Sequence, residues 1–211
     1  MKSYPVNEMF LSLQGEGVRA GTANVFVRFA GCNQTCSIAS HGFDCDTEFT
    51  SSVRMTAEDI FARVKQLWRG GIKPNVILTG GEPLLSVDNH LSGLLLDRCA
   101  TVAIETNGSL AMPKRMFEEF GPAMTTNLFV SCSPKVAEHA VLLQATNELR
   151  YVRNERQGIP KPKLDAEFKY LSPAFERGGF EPGALATCKD LIVENPSWAL
   201  SVQQHKVWNV R

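Results

Sequence analysis

Three of the six cysteines lie close together: Cys32, Cys36 and Cys45, in the stretch Gly31-Cys-Asn-Gln-Thr-Cys-Ser-Ile-Ala-Ser-His-Gly-Phe-Asp-Cys-Asp-Thr47. The stretch is rich in small and polar residues and reads as a loop. Three thiols on one loop can close around a single soft metal centre. Two centres fit the spacing. With His41 it is Cys-x3-Cys-x4-His-x3-Cys, a closed, four-ligand structural zinc site. Without His41, three thiolates leave one iron of a [4Fe–4S] cluster open, whereas a purely structural cluster normally takes four. Loop spacing does not decide between them. The other cysteines, Cys99, Cys132 and Cys188, are scattered in apolar or helical contexts and read as small buried hydrophobes.

Two further features carry chemistry. Gly80-Gly-Glu-Pro83 is a tight turn in the plainest reading, but backbone without Cβ can also approach a ligand closely. Glu82, if buried, needs a cation partner, and an amino group on a ligand is one. Arg28 lies on an apolar strand, where an unpaired guanidinium is costly. Its planar fork suits a carboxylate, supplied either by a ligand or by a structural Arg–Glu pair.

These residues need a scaffold. Asn24-Val-Phe-Val-Arg-Phe-Ala30 alternates and is β-branched and aromatic, so it reads as a strand feeding the cysteine loop. Thr56-Ala-Glu-Asp59 opens a helix with a capping-box pattern, and Ile60, Phe61, Val64, Leu67 and Trp68 continue it at helical spacing up to Gly70-Gly71. Strands follow at Asn75–Thr79, Thr101–Glu105, Leu128–Ser131, Glu148–Val152, Glu167–Leu171 and Ala199–Val202. Helices are expected over Val87–Asp97, after Pro113, from Lys135 to about Gln144, and over Pro182–Glu194. Alternating strands and helices with near-continuous apolar strands imply βα units and a parallel sheet. About six or seven strands against three or four good helices are too few for a closed eightfold barrel. The expected fold class is therefore α/β, a partial, open (β/α) barrel, with 1–211 as a single domain. In such folds chemistry gathers at the carboxyl ends of strands. Here those ends carry the cysteine loop, Thr79-Gly-Gly-Glu-Pro83, Glu105-Thr-Asn-Gly108 and Ser131-Cys-Ser-Pro-Lys135.

Composition excludes several classes. The chain has 211 residues, and 22 Lys+Arg balance 22 Asp+Glu. Zero net charge argues against a nucleic-acid binder working by bulk electrostatics. No apolar run approaches the roughly 18 residues of a membrane span. The start, Met-Lys-Ser-Tyr-Pro-Val-Asn-Glu, does not read as a signal peptide. A cytoplasmic, thiol-reducing compartment is the expectation, and there clustered cysteines point to metal or catalysis.

Taken together, the motifs resemble those of the radical S-adenosylmethionine (SAM) superfamily and, within it, the 7-carboxy-7-deazaguanine synthase family. The matching pieces are Asn7-Glu-Met-Phe10 with Leu13-Gln-Gly-Glu-Gly17, Phe26-Val-Arg-Phe29 with Gly31-Cys32, Cys45-Asp-Thr47, Thr79-Gly-Gly-Glu-Pro83, Glu105-Thr-Asn-Gly108, Ser133-Pro-Lys135 and Gln204-His-Lys-Val-Trp-Asn-Val-Arg211. They run in order along nearly the whole chain. Two places depart from the family pattern. The cysteine spacing is Cys-x3-Cys-x8-Cys instead of the usual Cys-x3-Cys-x2-Cys, and the late strand that often reads Leu-Gln-Pro is Leu171-Ser-Pro173.

The resemblance implies a carbon–nitrogen lyase that converts 6-carboxy-5,6,7,8-tetrahydropterin to 7-carboxy-7-deazaguanine with loss of ammonia, in 7-deazaguanine and queuosine biosynthesis. A [4Fe–4S] cluster on Cys32, Cys36 and Cys45 would reduce SAM, giving a 5′-deoxyadenosyl radical, and SAM would be regenerated. Asp46, Gly80, Gly81, Glu82, Glu105, Ser133, Lys135 and Ser172 are the implied SAM contacts. Gln14, Glu16, Arg28, Thr79, His205 and Arg211 are the implied substrate contacts, with the carboxylate of Arg211 and the 199–211 segment closing the site. Gly15 and Gly17 would permit close approach. Thr47 is the implied Mg²⁺ ligand. An electron donor such as flavodoxin and a homodimeric state are implied as well, with no nucleic-acid or membrane partner. The alternatives are a glycyl-radical-enzyme activating enzyme, which shares the cysteines and glycine loop but gives no reason for Gln14, Glu16, Arg28 and His205, and a zinc-binding structural module on Cys32, Cys36, His41 and Cys45.

Overall fold

The first strand of the chain, β1 (Tyr4–Leu13), is one that the sequence pattern does not announce. It pairs antiparallel with β2 (Ala23–Phe29), and the register slips between Val6 and Glu8. That irregularity breaks the two-residue alternation by which strands are recognised. Beyond the loop that carries the cysteines and the short helix α1 (Ile38–His41), β3 (Val53–Met55) adds to the outer edge of β1. The computed structural model describes all residues except Met1, Phe43, Asp46, Thr47, Met124, Arg177 and Gly178, and also leaves aside the side chains of Glu176, Phe180 and Pro182.

From β2 onward the chain alternates. Helix α2 (Ala57–Leu67) precedes β4 (Asn75–Gly80), α3 (Asn89–Arg98) precedes β5 (Thr101–Thr106), and α4 (Lys114–Glu119) precedes β6 (Leu128–Cys132). Then come β7 (Glu148–Arg153) and β8 (Phe168–Pro173), a small ribbon of β9 (Phe175–Glu176) with β10 (Gly179–Phe180), helix α5 (Pro182–Glu194), β11 (Ala199–Leu200) and helix α6 (Gln204–Trp208). The nine-stranded sheet runs β11-β8-β7-β6-β5-β4-β2-β1-β3. It is parallel from β2 to β11, antiparallel at β1 and β3, and open between β11 and β3. This is the expected partial barrel.

Local chemistry sets the helix starts. Thr56 Oγ1 accepts from the Asp59 amide at 3.1 Å, and an Asp59 carboxylate oxygen accepts from the Thr56 amide at 3.0 Å, closing the capping box. Asp88 caps α3 by accepting from the Leu91 amide at 2.9 Å. One expected helix is absent. Between Lys135 and Gln144 only a single 3-10 turn forms, at Glu138–Ala140. Val141 and Leu143 are buried while Leu142 is exposed, so the segment follows the two-residue period of an extended chain.

The strand register explains where the site lies. Val25, Val27 and Phe29 point to the main core beneath the helices, with Val76, Leu78, Val102 and Ile104. Phe26, Ile77, Ala103 and Phe129 point to the other face, and each is in register with its neighbour. Stacked on Phe26 at 5.1 Å is Phe10 of β1. These side chains form an apolar floor, and burying each large one contributes about 1.5–3 kcal/mol. Two residues further along each strand, on the same face, stand Arg28, Thr79, Glu105 and Ser131. Arg28 is in register with Thr79, Glu105 with Ser131, and Ser131 with Glu148. A row of polar residues thus crosses the sheet one step above the floor, towards the strand carboxyl ends.

Candidate active site

Two cavities open on this polar row. The first, about 230 Å³, is lined by Cys32, Cys36 and Cys45, by Gly80, Gly81, Thr106 and Asn107, and by Ser133, Lys135 and Ser172. The second, about 460 Å³, is lined by Arg28, Gln14, Gly15, Glu8, His205 and Arg211, among others. Glu16, Thr79, Glu105 and Gln203 line both and form the wall between them.

The cysteine side fits a thiolate-held cluster. The loop brings three thiols to one cavity, with Cys32 and Cys36 half-buried and Cys45 exposed. Burial pushes the Cys36 thiol up, and Lys135 opposes this. His41, the fourth ligand of the zinc alternative, has both ring nitrogens engaged within the protein: Nε2 lies 2.9 Å from the Lys135 carbonyl oxygen and Nδ1 lies 2.7 Å from the Ser40 hydroxyl. Ser172 Oγ and Gln203 Oε1 are buried without a hydrogen-bond partner and belong to residues that line the first cavity. Such orphaned atoms mark a surface shaped for a polar ligand.

The glycine turn works differently from the expectation. A Cβ on Gly81 would sit 2.2 Å from the Gly31 carbonyl oxygen and 2.7 Å from Cys32 Cβ. The bare backbone therefore lets the turn pack against the start of the cysteine loop, where the Glu82 amide also donates to the Gly31 carbonyl at 3.0 Å. Glu82 does not reach the cavity. It is fully buried and accepts from the Leu84 amide at 3.0 Å, the Thr106 hydroxyl at 2.8 Å and the Asn107 amide at 2.7 Å. Burial raises its pKa and these donors hold it back. Its partners are backbone and hydroxyl groups, not a ligand amine, and its job is to tie the β4 turn to the β5 turn.

Glu105 is the centre of the shared wall. Gln14 Nε2 donates to its Oε1 at 2.7 Å, the Thr79 hydroxyl to Oε2 at 3.2 Å, and Arg150 Nη2 to Oε1 at 3.4 Å. Gln14 Oε1 accepts from the amides of Gly15 and Glu16 at 2.7 and 3.1 Å. Gln14 is thus used at both ends inside the protein. The close approach at Gly15 and Gly17 also serves protein groups: a Cβ there would fall 2.1 Å from His205 Nδ1 and 2.1 Å from Glu148 Oε2, respectively.

At the far side Arg28 Nε donates to Glu8 Oε1 at 2.9 Å, and Arg211 pairs with the other oxygen of Glu8. Arg28 both makes the structural pair and lines the second cavity. The C-terminal segment closes over this cavity. Gln204 donates its amide to the Gly15 carbonyl at 2.9 Å, the Ser12 hydroxyl bonds the Arg211 carbonyl, and the Arg211 guanidinium lies 4.9 Å from the Phe10 ring centroid. The Arg211 side chain and carbonyl hold it down. Lys135 donates to the Ser133 hydroxyl at 2.6 Å and carbonyl at 3.0 Å. Asp46 and Thr47, the remaining expected contacts, lie outside the described residues.

Arg150, which no motif singled out, lines the first cavity and meets Glu16, Glu105 and Glu148. Its signal is Glu148 and Arg150 two residues apart on one face of a buried strand.

Comparison with known proteins agrees with this geometry. Residues 26–147 match the family model of the radical SAM superfamily. The chain is 35% identical over 208 residues to the 7-carboxy-7-deazaguanine synthase of Bacteroides thetaiotaomicron, covering 98% of each. It is 36% identical over 221 residues to that of Caulobacter vibrioides, covering 97% of each. The fold superposes on the crystal structure of QueE from Escherichia coli with a TM-score of 0.66, at 22% identity, over 95% of this chain and 94% of that one.

Proposed function

The chain belongs to the radical SAM superfamily and, within it, to the 7-carboxy-7-deazaguanine synthase family, and on that premise we propose that it acts as a cytoplasmic carbon–nitrogen lyase contracting the ring of 6-carboxy-5,6,7,8-tetrahydropterin, with release of ammonia. Membership implies a [4Fe–4S] cluster and SAM. The observation that carries the reading is the pair of cavities sharing one wall, three thiols on one side and Arg28 with His205 on the other.

Cys32, Cys36 and Cys45 would hold the cluster, and Gly80, Gly81, Glu105, Ser133, Lys135 and Ser172 would surround SAM. When bound, this pair supplies radical-initiated hydrogen abstraction. The protein's own part is to bind, orient and exclude water. Arg28 presents the outer edge of its planar cation to the pterin carboxylate while Glu8 holds its Nε. Glu16 offers acceptor oxygens to the N–H donors of the aminopyrimidone edge. Thr79 and Glu105 fix the wall through which the two ligands meet, so the reacting atoms are brought together without solvent. His205 and Arg211 close the pterin side. Thr47 would supply one oxygen to Mg²⁺, with substrate oxygens and waters completing the octahedron, so the ion would bind well only with substrate. A one-electron donor of the flavodoxin type and a homodimeric state complete the proposal.

Anaerobic reconstitution followed by assay with SAM, reductant, Mg²⁺ and the pterin tests it. The expected protein is brown with about four irons per chain, turns over the pterin, and loses both properties on Cys→Ala substitution at Cys32, Cys36 or Cys45. A colourless protein with one zinc, or turnover only on a glycyl-radical partner, would overturn it.

A further inference from the structure

We propose that Arg150 is a positioning residue that orients Glu16 and Glu105 together and so couples binding in the two cavities. The Arg150 side chain is 6% exposed. Its guanidinium meets three carboxylates from three separate segments: Glu16 from the loop after β1, Glu105 at the end of β5 at 3.4 Å, and Glu148 on its own strand at 3.1 Å. Burial works against the charge, but Glu16, Glu148 and Glu105 outweigh it and raise the pKa, so the guanidinium stays protonated.

The three carboxylates are not equivalent. Glu148 is fixed and faces neither cavity: its oxygens accept from the Ser131 hydroxyl at 2.8 Å and the Val18 amide at 2.7 Å. Glu16 and Glu105 line both cavities. Glu148 thus holds the guanidinium by charge alone, since Arg150 Nε makes no hydrogen bond, and the outer nitrogens of the planar fork reach the two working carboxylates. Glu16 and Glu105 present acceptor oxygens to both cavities, which suits ligands carrying cationic or N–H groups, here the sulfonium and amine of SAM and the ring edge of the pterin; this step rests on the reading of the two cavities given above. A ligand that fixes Glu105 on one side also fixes Arg150, hence Glu16, and the second ligand then meets an ordered acceptor. The coupling must be reciprocal.

Equilibrium binding by anaerobic calorimetry on the reconstituted protein, with Mg²⁺ and without reductant so that nothing turns over, tests this. In the wild type, SAM should tighten pterin binding by about fivefold or more, and the pterin should tighten SAM equally. Arg150→Lys keeps a point charge but not the fork, so each single-ligand affinity should stay within about threefold while the mutual enhancement falls to near one. Arg150→Gln should lose the enhancement and at least tenfold in pterin affinity, with iron content retained. If the glutamine variant does not fold, the lysine variant decides: undiminished enhancement there overturns the proposal. Wild-type protein that binds both ligands independently also overturns it and leaves the functional reading intact, whereas wild-type protein that binds no pterin overturns that reading.

Discussion

Gln14 Nε2 lies 2.7 Å from Glu105 Oε1, joining the loop after β1 to the end of β5 across 91 positions of the chain. The other end of the same amide holds the Gly15 and Glu16 backbone N–H groups. Under the proposed function, Gln14 would act on a pterin through the backbone it holds and through Glu105. Replacing it with alanine strands two amides, each worth about 1–3 kcal/mol when left unpaired in a buried setting, and leaves Glu105 Oε1 with only the longer contact to Arg150. Steady-state kinetics of Gln14→Ala should show the pterin KM rising tenfold or more, with a lower melting temperature. A wild-type KM would show that the loop holds its shape without the amide.

The two cysteine populations should separate by reactivity. Burial pushes Cys99 and Cys132 up to about 12 and Cys188 up to about 11. A thiol reacts as its thiolate, and a pKa near 12 leaves about one in 10,000 ionised at pH 8, rising tenfold per pH unit. Cys32, Cys36 and Cys45 are half-buried or exposed. Labelling of native, cluster-free protein at pH 8 should modify these three rapidly and the other three only on unfolding, and cluster reconstitution should protect the rapid three. Rapid labelling of Cys132 would contradict the packing of β6.

Gly81 sets the distance between the β4 turn and the cysteine loop. A methyl group there meets the Gly31 carbonyl at 2.2 Å and Cys32 Cβ at 2.7 Å, and neither is the free end of a flexible side chain. Gly81→Ala must displace the loop that carries the first thiol, at a cost of about 1–3 kcal/mol. Iron content after reconstitution should fall by half or more. Gly71, around which nothing lies within 4 Å, is the control: Gly71→Ala should change stability by less than about 0.5 kcal/mol. Full iron loading of Gly81→Ala would show that the turn and the loop move independently.

How much of this the sequence shows depends on how local the cause is. β2 and the strands from β4 to β8 are legible because a parallel sheet buries both faces and leaves apolar runs. The thiol loop and the glycine turn are legible because few purposes gather those residues at strand ends. β1 is hidden by its register slip and by Pro5 and Asn7, which look like turn residues and are tolerated near the sheet edge. The stretch around Val141 carries leucines that look helical, and only its buried neighbours show that it alternates. Glu82 is the clearest reversal: a buried glutamate does demand partners, but two amides and a hydroxyl meet the demand as well as a cation. Arg150 shows the opposite limit, since its meaning depends on Glu16, 134 positions away, and no local pattern brings the two together.

Arg28 and Arg211 share Glu8, and this arrangement makes their contributions separable. Arg28 is held on β2 in register with Thr79, so its fork points into the pterin cavity from a rigid strand. An incoming carboxylate would pair with its outer edge, and charge-assisted pairs of this kind contribute about 1.5–3 kcal/mol. Arg28→Ala should therefore raise the pterin KM by tenfold or more and leave SAM binding unchanged. Arg28→Lys should restore little, because an ammonium cannot form the bidentate pair. Arg211 is exposed, and its hold on Glu8 is shared with the Phe10 ring and the Ser12 hydroxyl. Arg211→Ala, or a tag appended after it, should loosen the closing segment and raise the pterin KM by a smaller factor, about threefold to tenfold, with kcat little changed. In Glu8→Gln both guanidinium groups lose their internal anion. If Glu8 acts mainly as a competitor, the pterin KM of that variant falls; if it acts mainly to aim Arg28, the KM rises. The 2.9 Å contact to Nε, at the side of the fork and not at its two outer nitrogens, leaves the outer edge open for a carboxylate and predicts the rise.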